Sequence, residues 1–563
     1  MNEPAPQPAL GFSVGIVGHR NNRISDGARV RARVVEILRG VDAAVGAAAA
    51  SGFYPAGRLR LRLVSALAEG ADRLAASAAI EAGLELDVVL PFAAAEYRKD
   101  FADQASGDEF DALLGQAGRV LVLDGKGDER NRAYEAAGVT LLDNSDLLIA
   151  VWDGGPGRGR GGTREVIEEA TRRTIPVVVV DPAGAEAKVR SGGVGAGPMR
   201  LEDVPELALT ALPELIEAEV GLEEGPEQAE QWLRDCEPPS APAIHSAYPI
   251  LLRLAGVGPR RRKATATALD APASEPNALQ KAFSWWDDVA IHAAQAFRSA
   301  VIVNFSLASL AVLLAAVSLL AEDYKWLFVI AEIATILLLL ANAMSANRNR
   351  WQERWLESRE VAELLRVCSL LRSVGVGRGI ADPGQGGRLG WYAGAFARSA
   401  PLEHVDLSDP AAAAAPLIAE IRSQADWNRT TSRRMHLAAR RIERFGQVLF
   451  VLVLAAAVGW LVIDVVDEPA ANHLRFVVTA ITAGFPAVAT ASYGIRVILD
   501  FEGVAQRTGR IGLGLDVLLG KWAGEVSSAA RLQEFARDAA DIMLGDIAAW
   551  RLLTEGRRLT IPG

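Results

Sequence analysis

Apolar positions along this chain follow two rhythms. As far as about residue 182, short apolar runs alternate with stretches of helical spacing; beyond residue 281 the runs lengthen to membrane scale. The short runs cover 12–17, 59–65, 86–90, 120–123, 147–151 and 177–180 and predict strands. Between them, 29–50, 71–82, 108–114 and 163–173 predict helices. Strands that are apolar throughout and separated by helices predict a parallel sheet covered on both faces, an α/β Rossmann-like domain over 1–182.

The long runs predict an all-α membrane region. Residues 299–321, 445–463 and 476–495 carry no formal charge, and 326–346 carries only Glu332. Each is close to the roughly 20 residues that cross ~30 Å of hydrocarbon. Short turns at 322–325 and 464–475 make them two transmembrane hairpins. Arginines cluster after the second run (Arg348, Arg350, Arg354, Arg359) and before the third (Arg433, Arg434, Arg440, Arg441, Arg444). That bias predicts a multi-pass protein with its N-terminus, central region and C-terminus in the cytoplasm. Trp285, Trp286, Trp326, Trp351 and Trp355 lie near the run ends, as interfacial anchors or as packing within a cytoplasmic bundle. Glu332 lies about 9 Å into its run at 1.5 Å per residue, as a gating acid or an interhelical hydrogen-bonding group. Gly484 and Pro486 are candidates for a kink in the fourth run.

Composition narrows the classes. Half of the 563 residues are hydrophobic and mean hydropathy is +0.16, which fits a mixed soluble and membrane chain. The net charge of -10 offers no basic field for nucleic acid, so none is expected as a partner. Two lone cysteines, Cys236 and Cys368, give neither a disulfide framework nor a zinc spacing, and no metal is expected. The N-terminal residues have no basic segment followed by an apolar one, so no signal peptide is expected.

The candidate chemistry sits at the predicted strand ends. Gly15, Gly18, His19 and Arg20 accompany the first strand, and Glu69, Gly70, Asp72 and Arg73 follow the second. Asp153 and Gly154 follow the fifth, and 159–163, with Gly161, Gly162 and Thr163, opens a helix. Glycine lets a backbone approach a phosphate, and a helix N-terminus holds an anion. Thr163 is a candidate cap or phosphate donor, Arg20 and Arg73 candidate phosphate partners, and Asp72 and Asp153 candidate ribose acceptors. Ordinary caps and surface charges are the plain alternatives.

The ordered runs GIVGHR, LVSALAEGADRLAASAAIEAG, DVVLPFAAAEYRKDF and NSDLLIAVWDGGPGRGRGGTREVIEEA resemble the SLOG superfamily of DprA-like and LOG-like Rossmannoid domains over about 10–182. The resemblance implies a pocket for a nucleotide or nucleotide-derived ligand, cyclic or ADP-ribose-like, with no further cofactor. Its hydrolase branch carries PGGxGTxxE with a catalytic glutamate. Here Val166 holds that place, with Glu165 one residue early and Glu168 two late, a rotation of about 100° or more on a helix. Binding is therefore favoured over hydrolysis, with Glu69, Asp153 and Glu165 as the candidate catalytic carboxylates.

Residues 183–280 lose the strand–helix rhythm and read as a connector, with a short acidic helix near 208–225 and a basic cluster at Arg260, Arg261, Arg262 and Lys263. The first hairpin with its following helix (281–372) resembles the SLATT class of two-span effector domains. A second connector (373–430) leads to a second hairpin with C-terminal helices (431–563), a loose repeat of the first. The combined expectation is a bacterial inner-membrane sensor-effector of antiphage or conflict defence. Its partners are a small ligand, the bilayer and other copies of itself, and its helices form a pore or perturb the membrane. The alternative is an anchored nucleotide N-glycosidase or deoxyribosyltransferase.

Overall fold

The computed structural model describes residues 4–50, 53–55, 59–126, 129–156, 161–193, 197–220, 225–236, 246–258, 277–320, 322–378, 389–400, 405–522 and 526–554. The predicted strands all form: β1 (Leu10–Gly18), β2 (Leu59–Ser65), β3 (Glu85–Leu90), β4 (Arg119–Val122), β5 (Leu147–Val151) and β6 (Val177–Val180). Three more complete the sheet: β7 (Ala187–Arg190), β8 (Glu206–Ala208) and β9 (Val405–Asp406). The order is β8-β7-β6-β5-β1-β2-β3-β4-β9. β7 and β8 add antiparallel at one edge, and the other pairings are parallel. The chain builds outward from β1 through β4 and then returns to β5 on the other side, so the switch point lies between β1 and β5.

Helices of this half are α1 (Gly27–Ala49), α2 (Ala71–Glu81), α3 (Ala94–Tyr97), α4 (Gln104–Leu114), α5 (Arg130–Leu142) and α6 (Thr163–Arg172). The region read as connector 183–280 instead contributes β7, β8, α7 (Leu212–Val220), α8 (Pro226–Cys236) and α9 (Ala247–Leu254). Tyr54 donates to the Val220 carbonyl at 3.1 Å, and Leu212, Ile216 and Val220 are buried, so α7 belongs to the α/β core. The Arg260–Lys263 cluster lies outside the described residues.

The helical half comprises α10 (Ala278–Ser318), α11 (Lys325–Arg348), α12 (Trp351–Arg372), α13 (Gly390–Ser399), α14 (Pro410–Val466), α15 (Glu468–Ile498), α16 (Phe501–Trp522) and α17 (Ala529–Thr554). Four helical stretches are long and apolar enough to cross a membrane: Ala278–Ser318, Lys325–Arg372, Pro410–Val466 and His473–Trp522. Exposed Ile, Leu, Val and Phe crowd α11 and the second half of α14. Such an exposed apolar surface is consistent with helices that cross a membrane. The division at 430/431 fails, because α14 runs unbroken from Pro410. α10 packs on α15 and joins the hairpins, while α11 packs on α10 and α14 on α15. Glycines allow this approach: a Cβ on Gly494 would stand 2.2 Å from Phe305, and one on Gly484 2.4 Å from Leu313. Within the bundle Asn342 donates to Asn304 at 2.6 Å and to the Ala300 carbonyl at 3.0 Å. α15 continues through Pro486.

The two hairpins repeat one plan. After each second span a single non-glycine residue takes left-handed backbone, Arg350 (φ 50°) and Asp500 (φ 49°). Each breaks the helix just before a 22-residue helix that opens on an aromatic residue, Trp351 or Phe501. The C-terminal helices after the second hairpin are α16, which ends at Trp522, and α17. Of the tryptophans near span ends, Trp326 is exposed, whereas Trp285, Trp286 and Trp351 are buried. Trp286 stacks on Trp232 with ring centres 5.1 Å apart, so packing is its role.

The two halves are bolted together. β9, from the helical half, pairs with β4. Buried Arg62 donates to the Arg398 and Ser399 carbonyls at 3.0 Å each. Gly11 lets the end of α13 approach: a Cβ there would lie 2.3 Å from the Arg398 carbonyl oxygen. Asp143, the C-cap of α5, accepts from Arg173 at 2.7 Å and from Arg537 of α17 at 2.5 Å. Gln533 of α17 donates to the Val374 carbonyl at 3.1 Å, and Asp124 accepts the Ala529 N–H at 3.0 Å at the start of α17.

Candidate functional site

The carboxyl ends of β1, β2 and β5 bring most of the predicted residues together, though with altered roles. Gly15 lies inside β1, not beyond it, and a Cβ there would meet Ser145 at 2.5 Å. Gly18 lets α2 approach, since its Cβ would lie 2.4 Å from that of Ala71. Both glycines serve packing. Gly70 does what was expected of a turn glycine. Its φ is +100°, and a Cβ would stand 2.4 Å from the His19 carbonyl oxygen. Leu67, at the same turn and fully buried, also has positive φ (54°). A bulky residue so placed stores strain of order 1 kcal/mol, a cost that sites bear more often than ordinary turns.

At the switch point the protein's own side chains close on one another. His19 is buried; its N–H donates to the Val151 carbonyl and its carbonyl accepts from Ala71, both at 3.1 Å. Its Nε2 lies 3.1 Å from the Asp153 carboxylate. Asp153 also accepts from Arg23 at 2.5 Å and from the Gly155 N–H at 2.9 Å. Burial works against the charged form, but Gly155, His19 and Arg23 hold the Asp153 carboxyl below its ordinary value. Asp153 is thus held by His19, Arg23 and Gly155 while its side chain stays 35% exposed. Gly154 is exposed with φ +76° and open space beside it.

Three further assignments change for the same reason. Arg73, 3% exposed, donates to the Leu67 carbonyl at 3.1 Å, to Ser106 at 2.8 Å and to Glu109 at 3.1 Å, and covers the Phe101 ring. It ties α2 to α4 through Nε and one terminal nitrogen, and its other terminal nitrogen is buried without a hydrogen-bond partner. Glu69 accepts from Ser106 at 2.5 Å and from the Ala102 N–H at 2.9 Å. Burial raises its carboxyl, but those bonds with Arg73 and Arg20 hold it below its ordinary value. Glu165 turns back to accept the Gly161 N–H at 2.6 Å, closing the start of its own helix. There Gly162 is the N-cap, so Thr163 does not cap. Val166 is buried, and a Cβ on Gly138 would lie 2.8 Å from it, so the position matching the hydrolase glutamate is core. Gly159 and Arg160 lie outside the described residues.

What stays open lies between the ends of β1 and β2. No side chain caps α2. Arg20 is exposed beside its start, and its guanidinium makes no hydrogen bond or ion pair among the described residues, though its carbonyl accepts the Arg23 N–H at 2.9 Å. An uncapped helix start beside a free guanidinium suits an anion. Asp72, in the first turn and 5% exposed, accepts from the Ala68 N–H at 3.4 Å. Burial outweighs the Ala68 bond and the nearby Arg73 and Arg20, and pushes the Asp72 carboxyl up to about 7. No protein-family model matches this chain. No curated protein matches it either.

Sequence reading missed two tyrosines here. The Tyr97 hydroxyl is buried without a hydrogen-bond partner and is pushed well up by burial and by Asp72 and Tyr134. The Tyr134 hydroxyl donates to Asp100, which also takes Arg130; burial and Asp100 push that phenol up to about 12. Tyr134 sits on α5, whose far end carries Asp143 and hence Arg537 of α17. One helix therefore runs from the open end of the sheet to the helical half.

In the membrane region, Glu332 is half-buried with no hydrogen bond or ion pair among the described residues. Neither an interhelical bond within one chain nor a partner for a gating acid is present there.

Proposed function

We propose that this chain is a membrane-anchored sensor-effector. A nucleotide-derived anion binds at the start of α2 beside Arg20 and Tyr134, and the helical hairpins respond by opening or perturbing the bilayer. The observation that carries the reading is α5, with Tyr134 at the ligand end and Asp143 bolted to α17. The SLOG-like and SLATT-like sequence runs support the same pairing of pocket and effector, and with it a bacterial inner membrane, a cytoplasmic α/β domain and a role in defence. Glu332 fits an oligomer, since a carboxyl lacking a partner within one chain finds one in a neighbouring copy or in water between copies. A ligand shifts such an equilibrium only by its differential affinity for the two states.

The test is dye release from liposomes holding the purified protein, across cyclic and ADP-ribose-like nucleotides, with binding followed by calorimetry. Leakage that depends on a bound nucleotide and is lost in Arg20→Gln is expected. A nucleotide that binds without changing leakage would refute the effector role, and absence of all nucleotide binding would leave a scaffold.

One observation favours the enzymatic alternative. Asp72 is a carboxyl poised near neutrality at the open strand ends, as a general acid needs. Free base released from nucleoside monophosphates, and lost in Asp72→Asn, would establish it.

A further inference from the structure

Where the two repeats meet, on the side of the α/β domain, they enclose a cavity of about 360 Å³. Its walls come from α10 and α12 of the first repeat and α14 and α16 of the second, with Tyr248 and Met543 added from α9 and α17. That volume lies at the lower end of the range for small-molecule sites.

The lining is cationic and aromatic. Arg298, Arg359, Arg366 and Arg507 reach it, against one carboxylate, Glu363. Three of the four arginines have acidic neighbours. Arg366 pairs with Glu363 at 2.7 Å, Arg359 with Asp287 at 3.2 Å, and Arg507 with Asp500 at 2.8 Å. Arg298 is different. Its guanidinium lies 4.7 Å from the Trp355 ring centre and 5.0 Å from that of Tyr248, and no carboxylate or other acceptor among the described residues meets it. Both rings lie within cation–π range of the guanidinium, whose N–H groups make no hydrogen bond among the described residues. Trp427 and Phe501 supply further flat apolar wall. A half-buried cation without a counter-charge, among other arginines and aromatic faces, selects an anion that carries an apolar or planar part.

Depth narrows the anion. Arg298 immediately precedes the charge-free run at 299–321, and Leu499 and Phe501 lie just past the end of α15, which carries the fourth run. The cavity thus lies at the level of lipid head groups while opening beside the soluble half. We propose that it binds a phosphate ester, with the phosphate on Arg298 and the rest of the molecule against Trp355, Trp427 and Phe501. The source is either an anionic phospholipid head group or a soluble nucleotide. This site is separate from the one at the start of α2. Its occupant touches both hairpins at once, and α17 carries it to Arg537 and Asp143.

The experiment uses the full chain in phosphatidylcholine nanodiscs, with and without phosphatidylglycerol, and titrates AMP into the first. Affinity is read from the rise in melting temperature with probe concentration. A rise with phosphatidylglycerol assigns the site to the head group; a rise with AMP assigns it to a soluble ester. In either case Arg298→Gln is expected to weaken binding roughly tenfold or more, and Arg20→Gln to leave it unchanged. Electron cryo-microscopy of the wild-type protein with each probe gives a readout independent of the variant's folding, and density against Arg298 is expected. An empty cavity with both probes, or equal affinity in wild type and Arg298→Gln, overturns the proposal. AMP binding lost in Arg20→Gln alone would overturn it while supporting the site at α2.

Discussion

Asp72→Asn tests the physics of the strand-end site directly. The carboxyl is 5% exposed, and burial carries it from 3.8 to about 7. Between those values the folded protein holds a proton that the unfolded chain has released. Stability therefore falls as pH rises through this window, and the whole contribution is gone above it. At roughly 1.36 kcal/mol per pH unit the loss approaches about 4 kcal/mol, a ceiling for a fully buried acid. Asparagine keeps the shape and carries no charge, so the variant should match the wild type near pH 4 and exceed its melting temperature at pH 8. Asp87, also buried and pushed up to about 6, adds its own slope in both proteins and cancels in the comparison. Melting of the detergent-solubilised full chain, followed by tryptophan fluorescence at half-unit pH steps, gives the two profiles. Parallel profiles, or a variant less stable at pH 8, would show that Asp72 is ionised in the folded state and that the reasoning about its environment is wrong.

Other substitutions probe the joints. Asp143→Ala strands Arg537 and leaves Arg173 with Glu169 alone, and should cost about 1–3 kcal/mol, less than a fully buried pair because both arginines are partly solvated. It should also uncouple nucleotide binding from dye release, which calorimetry and leakage measured on one preparation would reveal. Gly494→Leu drives a side chain into Phe305 and should lower stability by about 1–3 kcal/mol or more, seen as faster proteolysis between the hairpins. Asn342→Leu removes the bonds to Asn304 and Ala300 and should cost about 1 kcal/mol in a detergent unfolding titration.

The six main strands were legible because each carries a short cluster of apolar residues, buried throughout in β5 and alternating with arginine in β2, and the spans because charge is missing over membrane length. β8 and β9 are three and two residues long and carry no run to read. Helix α5 escaped because its buried residues are small (Ala133, Ala137, Gly138, Thr140) until Leu141 and Leu142 at its end, which leaves no apolar stripe along it. At the site, sequence located the turns but not the partners. Arg73 resembles a phosphate ligand until Glu109 and Ser106 are seen around it, and Asp143 is ordinary until Arg537 arrives from the far end of the chain. Pairings across such separations leave no local pattern. The cavity arginines are likewise scattered from 298 to 507 and meet only in the fold.

The pairing of β4 with β9 has a consequence for biogenesis. Residues 405–406 leave the ribosome only after the first hairpin has been made, and the Arg537 and Gln533 anchors only after the second. The sheet therefore waits with one border bare until the first pair of long apolar helices has been made and β9 is brought beside β4. Synthesis of the first helical pair is a precondition for finishing the sheet, so a chain cut short before β9 keeps a bare rim that quality-control proteases can recognise.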